Sequence, residues 1–363
     1  MHSPREVEVA ITTRCNLRCA YCSHFTSAAD VGHDLPTGEW LEFFAELGRL
    51  AVMNITLEGG EPFLRKDLPE LIEGIVNHRM RFGVLSNGTL ITDEMAAFLA
   101  ATRRCDSVQV SIDGSMPETH DACRGEGNFV RAMNGLQALQ RHGVPVSVRV
   151  TIHRRNLRDL EGVARLLLEE VGLPNFSTNY ASFMGLCRSQ ADTVQLTTAE
   201  RSEAMENLHR LNRKYGGRVT GTAGPVAELQ DWQEVLQAQQ EGRAGLPGRG
   251  VLVACGGLFT KLAVRADGVL VPCMQMCHLE LGRINRDDLG EVWRRHPELT
   301  RLRRRNEIAL ADFDFCRGCR FIPFCTGNCP ALAYTMTGLE NHPAPDSCLR
   351  RFLEEGGTLP DVH

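Results

Sequence analysis

The stretch Val7-Glu8-Val9-Ala10-Ile11-Thr12-Thr13-Arg14-Cys15-Asn16-Leu17-Arg18-Cys19-Ala20-Tyr21-Cys22 runs from a strand-like segment straight into three closely spaced cysteines. The β-branched run marks the strand, and the C-x3-C-x2-C spacing sets three thiolates on the loop that follows it. A structural zinc site wants four closed ligands, and this loop offers three cysteines with no histidine at finger spacing. Thiolate sets of this kind hold zinc or iron–sulfur clusters. The odd count favours a [4Fe–4S] cluster whose fourth iron stays open to a ligand.

Working outward, residues 6–180 alternate strand-like and helix-like stretches, the βα pattern of a parallel sheet. Strands are expected at 7–12, 53–57, 82–86, 107–112, 146–152 and 175–180. Helices are expected between them. The first starts at Pro36-Thr37 and places Trp40, Phe44 and Leu47 on one face. Others are expected near 67–78, 93–101, 129–142 and 157–171. Six βα units fall two short of a closed eight-stranded barrel, so a partial (β/α)6 barrel is expected. Gly59-Gly60-Glu61-Pro62, Ser86-Asn87-Gly88 and Ser111-Ile112-Asp113-Gly114 close the second, third and fourth strands. Each alone reads as a turn, but ligands collect at the C-terminal ends of parallel strands.

The chain has 363 residues, 43% of them hydrophobic, enough for a sizeable core. A length of this kind suits two domains or one barrel with an appendage. It has no apolar run of membrane-spanning length and no secretory h-region at its start. A net charge of −5 gives no general attraction to nucleic acid. Fourteen cysteines without a secretory signal point to metal ligation in a reducing cytoplasm rather than to disulfides.

Residues 195–255 carry two amphipathic helices, the first opened by a Thr197/Glu200 capping box. Glycine-rich breaks around them read as a bridge. Beyond it, cysteines recur as Cys255-x12-Gly268-x4-Cys273, Cys277, then Cys316-x2-Cys319-x5-Cys325-x3-Cys329-x18-Cys348. The segments 262–266 and 269–271 read as a β-hairpin with a two-residue turn at Asp267-Gly268. C-x2-C pairs also permit one or two zinc ribbons, so zinc stays open on the residues alone. Cys105 and Cys123 read as buried small hydrophobes. Cys187, just past the sixth strand, is a candidate for an active-site thiol. Arg294, Arg295, Arg301, Arg303, Arg304 and Arg305 read as a solvated face or a docking patch for an acidic partner.

The cysteine triplet, with Tyr21 before its last member and the three strand-end motifs in order, resembles the radical S-adenosylmethionine (SAM) enzymes. The second cysteine group resembles the SPASM extension, which carries auxiliary clusters. The resemblance implies an α/β fold: a partial (β/α)6 TIM-like barrel over residues 1–215, a helical bridge over 216–253 and a cysteine-rich SPASM domain over 254–363. It implies that Cys15, Cys19 and Cys22 bind a [4Fe–4S] cluster whose open iron takes SAM. Gly59, Gly60 and Glu61 would meet the methionyl amino group. Ser111 and Arg124 would hold its carboxylate, Arg124 within a run, His120-Asp121-Ala122-Cys123-Arg124-Gly125, similar to the family's H-D-x-x-R-G. Asn87 would touch the ribose side, and Tyr21 would lie on adenine.

The same resemblance implies two auxiliary iron–sulfur clusters, one on Cys255, Cys273 and Cys329, the other on Cys316, Cys319, Cys325 and Cys348. Some family members place an extra cysteine where this chain has Lys261. Cys277 is therefore the expected fourth ligand of the first auxiliary cluster, with His278 a weaker candidate and an open iron the alternative. The activity implied is reductive cleavage of SAM to a 5′-deoxyadenosyl radical that takes hydrogen from a substrate. That substrate is expected to be a ribosomally made precursor peptide or small protein, cross-linked, epimerised or oxidised. Expected partners are a flavodoxin- or ferredoxin-type reductant and, because the first strand starts near residue 7, a separate leader-peptide-binding protein. Nucleic acid and membrane are not expected partners. The alternatives are maturation of a cofactor, small molecule or sulfatase, and a non-catalytic electron-transfer protein, which would have no use for a complete SAM-binding set.

Overall fold

The computed structural model describes residues 2–24 and 32–360. Its first half alternates as the sequence pattern requires: β1 (Glu6–Thr12), α1 (Thr37–Arg49), β2 (Asn54–Gly59), α2 (Leu68–Asn77), β3 (Arg81–Ser86), α3 (Asp93–Thr102), β4 (Cys105–Ser111), α4 (Pro117–Arg124), α5 (Asn128–Arg141), β5 (Val146–Ile152), α6 (Leu160–Arg165) and β6 (Phe176–Tyr180). Then come α7 (Ala191–Val194), α8 (Thr198–Lys214), β7 (Val219–Thr220) and α9 (Pro225–Gln240). Helix α8 carries both halves of the Thr197/Glu200 capping box. Helix α4 was not expected, because Pro-Glu-Thr-His-Asp-Ala-Cys-Arg has no apolar stripe; Pro117 at its first position is the one start signal.

The C-terminal part contributes α10 (Gly257–Thr260), β8 (Lys261–Val264), β9 (Val269–Val271), β10 (Gly282–Arg283), α11 (Leu289–Arg295), α12 (Pro297–Arg303), α13 (Pro330–Thr337) and α14 (Leu349–Glu354). All ten strands form one sheet in the order β10-β9-β8-β1-β2-β3-β4-β5-β6-β7. Strands β1 to β7 pair in parallel with their neighbours, and β8 pairs in parallel with β1. The edge strands β10 and β7 do not pair with each other, so the barrel stays open. Residues 216–253 were expected to be a helical bridge, yet Val219–Thr220 within them extends the sheet beside β6. The β8–β9 hairpin likewise belongs to the barrel's own sheet.

That hairpin differs from expectation in its turn. Arg265 N donates to the Val269 carbonyl and Gly268 N to the Arg265 carbonyl, leaving Ala266, Asp267 and Gly268 in a three-residue loop. Gly268 sits at φ +85°, the left-handed conformation that such a loop needs at its third position.

Successive side chains of a strand point to opposite faces, and here the two faces differ in chemistry. Val7, Val9, Ile11, Ile55, Leu57, Phe82, Val84, Val108, Val110, Val148 and Val150 are fully buried against the helices. Apart from Ala10, Gly83 and Leu85, the alternate positions are mostly polar: Glu8, Thr56, Glu58, Ser107, Gln109, Ser111, Ser147, Arg149, Thr151, Ser177 and Asn179. Such residues cannot fill a barrel as a dry core, because each buried polar group needs a partner. The inner face therefore lines a chamber. Among the described residues no helix is long and apolar enough to cross a membrane.

Candidate active site and auxiliary cluster sites

The loop after β1 is held where its cysteines face the chamber. Gly60 N donates to the Thr12 carbonyl (2.9 Å) and Glu61 N to the Arg14 carbonyl (2.8 Å), so the β2 corner lies directly on the cysteine loop. A Cβ on Gly60 would stand 2.1 Å from the Arg14 oxygen, and one on Gly59 2.3 Å from the Thr12 oxygen. The Gly-Gly pair is thus required by this close approach. On the other side, Ala20 N donates to the Cys123 carbonyl and Leu186 N to the Cys22 carbonyl.

Cys15, Cys19 and Cys22 line a cavity of about 820 Å3 together with Tyr21, Gly59, Gly60, Asn87, Ser111 and Arg124. The structure thus gathers these expected residues around one space. Burial pushes the Cys19 thiol up to about 12, and Cys22, Asp113 and Cys15 add to the rise against the attraction of Arg124. Crowded, buried thiols of this kind suit a cationic iron cluster that displaces their protons, so the donor set fits a cluster.

Glu61 departs from expectation. It is fully buried and does not line the cavity. Its carboxylate accepts from Ser86 Oγ (2.8 Å), Asn87 N (2.8 Å) and Phe63 N (3.2 Å). Burial prevails over these bonds and lifts its pKa to about 7. It ties the ends of β2 and β3 together and leaves the cavity wall to the glycine backbone. Asn87 faces the cysteine loop, its Nδ2 donating to Asn16 Oδ1 at 2.9 Å.

Arg124 is not a surface charge, as a loop charge pair would be, but a buried residue at the end of α4. Its Nε donates to Asp113 Oδ2 at 2.5 Å. Asp113, from the strand-end motif Ser111–Gly114, is the hub of this wall. It also accepts from Thr151 N (2.8 Å) and from the Tyr21 hydroxyl, while its own N–H donates to His120 Nδ1 (3.1 Å). Burial works to raise the Asp113 carboxyl, but Arg124, His153 and His120 hold it below the ordinary carboxylate value. Tyr21 is also committed: besides Asp113, its ring stacks on His153 at 5.4 Å and lies 5.4 Å from the Arg124 guanidinium. Its neighbours make it a strut for Asp113 and Arg124 while it remains part of the cavity wall.

Cys255 and Cys329 line the same cavity. Cys273 lies beside them: burial lifts its thiol to about 12, with Glu8, Cys329 and Cys255 adding to the rise. Cys277 is not brought to this group. It lines an adjoining cavity with Arg265, His278 and Tyr334, and its Sγ donates to the Met274 carbonyl at 2.9 Å. The short helical turn Met274–Met276 lies between it and Cys273. His278 is also engaged, stacked on Tyr334 and bonded to Glu340. Lys261 Nζ is tied to Glu6 (3.0 Å) and Glu8 (3.3 Å).

Cys316, Cys319, Cys325 and Cys348 enclose a small cavity of about 40 Å3 walled by Trp232, Phe315, Phe321 and Phe324. Burial raises the Cys316 thiol to about 12, with Cys325, Cys348 and Cys319 adding to it. Among the described residues no three His, Cys, Asp or Glu side chains converge tightly enough for a single metal ion.

Cys123 and Cys187 are buried together in one small apolar cluster with Ala20, Ala181 and Val194. The active-site reading of Cys187 is therefore replaced by a packing one. The arginine run is mostly engaged: Arg294 and Arg295 pair with Glu291, Arg301 with Glu298 and Glu340, and Arg304 with Glu307. Arg303 lies over Trp293, and Arg305 is fully buried, donating to the Val253 carbonyl at 2.8 Å. Arg295 and Arg304 stay largely exposed, as members of a solvated charged face do.

Residues 9–167 match the radical SAM superfamily, and residues 255–320 match the SPASM iron–sulfur cluster-binding domain. The chain is 28% identical over 337 residues to Fe-coproporphyrin III synthase of Methanosarcina barkeri, covering 88% of this chain and 81% of that one. It is 24% identical over 340 residues to PqqA peptide cyclase of Ruegeria pomeroyi, covering 93% and 85%. Among solved structures, Streptococcus suis SuiB bound to precursor peptide SuiA superimposes with a TM-score of 0.70 at 14% identity, over 96% of this chain and 76% of that one.

Proposed function

Because the chain belongs to the radical SAM superfamily and carries a SPASM domain, we propose that it modifies a ribosomally made peptide or small protein in the chamber between its SAM site and its first auxiliary cluster site. The observation that carries this reading is the shared cavity: Cys15, Cys19 and Cys22 border it, and so do Cys255 and Cys329. At about 820 Å3 it lies at the upper end of the size range of ligand pockets. When bound and reduced, the first cluster supplies the electron that cleaves SAM to methionine and a 5′-deoxyadenosyl radical, which takes hydrogen from the substrate.

In this reading Cys15, Cys19 and Cys22 hold three irons. Backbone groups of Gly59 and Gly60 meet the amino group of SAM, and Glu61 braces that corner from behind. Ser111 and Arg124 hold the SAM carboxylate, with Asp113 orienting Arg124. Asn87 faces the ribose. Cys255, Cys273 and Cys329 hold one auxiliary cluster with an iron left open, and Cys316, Cys319, Cys325 and Cys348 hold a fully ligated second one. The barrel spans 1–215, the bridge 216–253 and the SPASM domain 254–363, with a flavodoxin- or ferredoxin-type reductant as electron donor.

A second reading, maturation of a small-molecule cofactor, is favoured by the similarity to a porphyrin-processing enzyme. One experiment separates the two. Anaerobically reconstituted protein with SAM and dithionite is offered a precursor peptide encoded beside its gene, or a porphyrin precursor of Fe-coproporphyrin III, the product that the relative's name gives. A change in peptide mass together with 5′-deoxyadenosine release supports the first reading. Turnover of the porphyrin alone replaces it with the second.

A further inference from the structure

Two buried acceptor oxygens, on residues in the wall of the shared cavity, have no hydrogen-bond partner. Glu58 stands at the end of β2, one residue before Gly59, and lines the cavity, yet its buried Oε1 meets no donor. Asn179 lines the same cavity from β6, and its buried Oδ1 is equally unmet. A buried acceptor left unpaired costs roughly 1–3 kcal/mol, so two of them in one cavity call for a ligand. The other carboxylates around the chamber are engaged. Glu228 accepts from Arg201 and Ser347, and Asp231 pairs with Arg249 at 2.8 Å. Among the described residues lining the cavity, Glu58 is the carboxylate with neither hydrogen bond nor ion pair.

The charge nearby is acidic. Glu8 on β1 faces Glu58, and Lys261 on β8 is shared between Glu6 and Glu8. Arg149 on β5 is the other inward base, and Glu8 is the carboxylate it feels. Three carboxyls therefore meet two cations. Burial, then repulsion from Glu8, lift the Glu58 carboxyl to about 8 against the attraction of Lys261. An arriving positive charge would return it to the carboxylate.

Resting on the reading of this cavity as the substrate chamber, we propose that Glu58 and Asn179 form a subsite for a primary ammonium group of the substrate. An ammonium carries three N–H donors and no acceptor, which meets what these two oxygens lack. A carboxylate or phosphate would meet no donor from either oxygen. In a peptide the group is a lysyl side chain or the free N-terminal amine.

The test uses the full chain with clusters reconstituted and SAM present, and reads binding by ligand-observed NMR. The probes are Nα-acetyl-L-lysine N-methylamide, its uncharged norleucine counterpart, and L-norleucine N-methylamide with a free α-amine. One ammonium probe should bind about tenfold more tightly than the uncharged control, as a charge-assisted hydrogen bond allows; which one does so identifies the source. Glu58→Gln should bring the probes within about twofold of one another, and Asn179→Asp, which adds a charge, should widen the preference. Equal binding of all three probes to the unsubstituted protein overturns the proposal. So does a preference that survives Glu58→Gln at full iron content. Should Glu58→Gln fail to load iron, an unchanged preference in Asn179→Asp overturns it instead. SAM binding is read on the same unsubstituted samples: SAM bound without an ammonium preference removes the subsite alone, whereas no SAM binding removes the reading of the chamber.

Discussion

Cys15, Cys19 and Cys22 stand on a loop bordering a cavity of about 820 Å3, whereas Cys316, Cys319, Cys325 and Cys348 enclose one of about 40 Å3 behind Trp232, Phe321 and Phe324. The first set has three thiols and is surrounded by polar groups turned toward open space. The second has four and sits between two apolar clusters, Cys319 against the one that joins α9 to α14 and Cys316 and Cys325 in its neighbour with Leu252 and Leu310. The contrast separates two uses of cysteine. An incomplete set beside a chamber leaves a coordination position for a reactant, and a complete set inside a core leaves none. Cys255, Cys273 and Cys329 fall between: three thiols, two of them on the chamber wall.

The largest expected effect breaks this comparison outright. Replacing Cys15, Cys19 and Cys22 together by Ala should remove about four irons and all 5′-deoxyadenosine formation, with little change in the melting temperature. Replacing Cys316 and Cys348 should also remove about four irons, but should lower the melting temperature too, because cluster binding there is coupled to folding of a core. Iron analysis and calorimetry on both variants decide it. Equal melting temperatures would show that the two sites do not differ as described.

Next is Arg124, which serves the open site and the fold at once. Arg124→Ala should weaken SAM binding by about 1.5–3 kcal/mol, and by stranding buried Asp113 it should cost about 3–5 kcal/mol of stability. Arg124→Lys should recover more of the stability than of the SAM affinity, since it keeps the charge but loses the fork. Isothermal titration and denaturant melts on the two variants read the two quantities separately.

His153 gives a smaller, pH-dependent effect. It is fully buried with neither ring nitrogen bonded, and burial lowers its pKa to about 4 from the ordinary 6.5. The unfolded chain takes up a proton here that the folded chain refuses, so stability present above pH 6.5 is lost as pH falls toward 4. The slope is at most about 1.4 kcal/mol per pH unit for one proton. His153→Phe keeps a ring against Tyr21 and should flatten that part of the stability–pH curve. An unaltered curve between pH 4 and 6.5 would mean that His153 is not held neutral.

The smallest effect sharpens the comparison at its middle member. Cys277→Ser should leave iron content and the auxiliary-cluster signal unchanged, whereas Cys273→Ala should diminish both. A lost signal in the serine variant would restore Cys277 as a ligand.

The amino-acid sequence by itself determined the βα alternation, the six main strands to within two residues, the capping box and the cysteine spacings. These are local properties: apolar periodicity, a side chain bonding three residues away, thiols close along the chain. The Gly59-Gly60 corner was legible as a strand-end motif, and the structure supplies its reason, a close backbone approach that admits no Cβ. What only the tertiary structure decided depends on distant parts of the chain meeting. Glu61 turns inward because Ser86 and Asn87, from the next strand's end, supply its donors. Asp113 becomes a hub because Tyr21, Arg124 and Thr151 converge on it from three elements. Cys277, four residues from Cys273, lines an adjoining cavity after one helical turn, a placement that nearness along the chain does not show. Glu58 and Asn179 carry no motif at all. They stand out only once the sheet curves, turns their side chains into one chamber and leaves their oxygens without a partner.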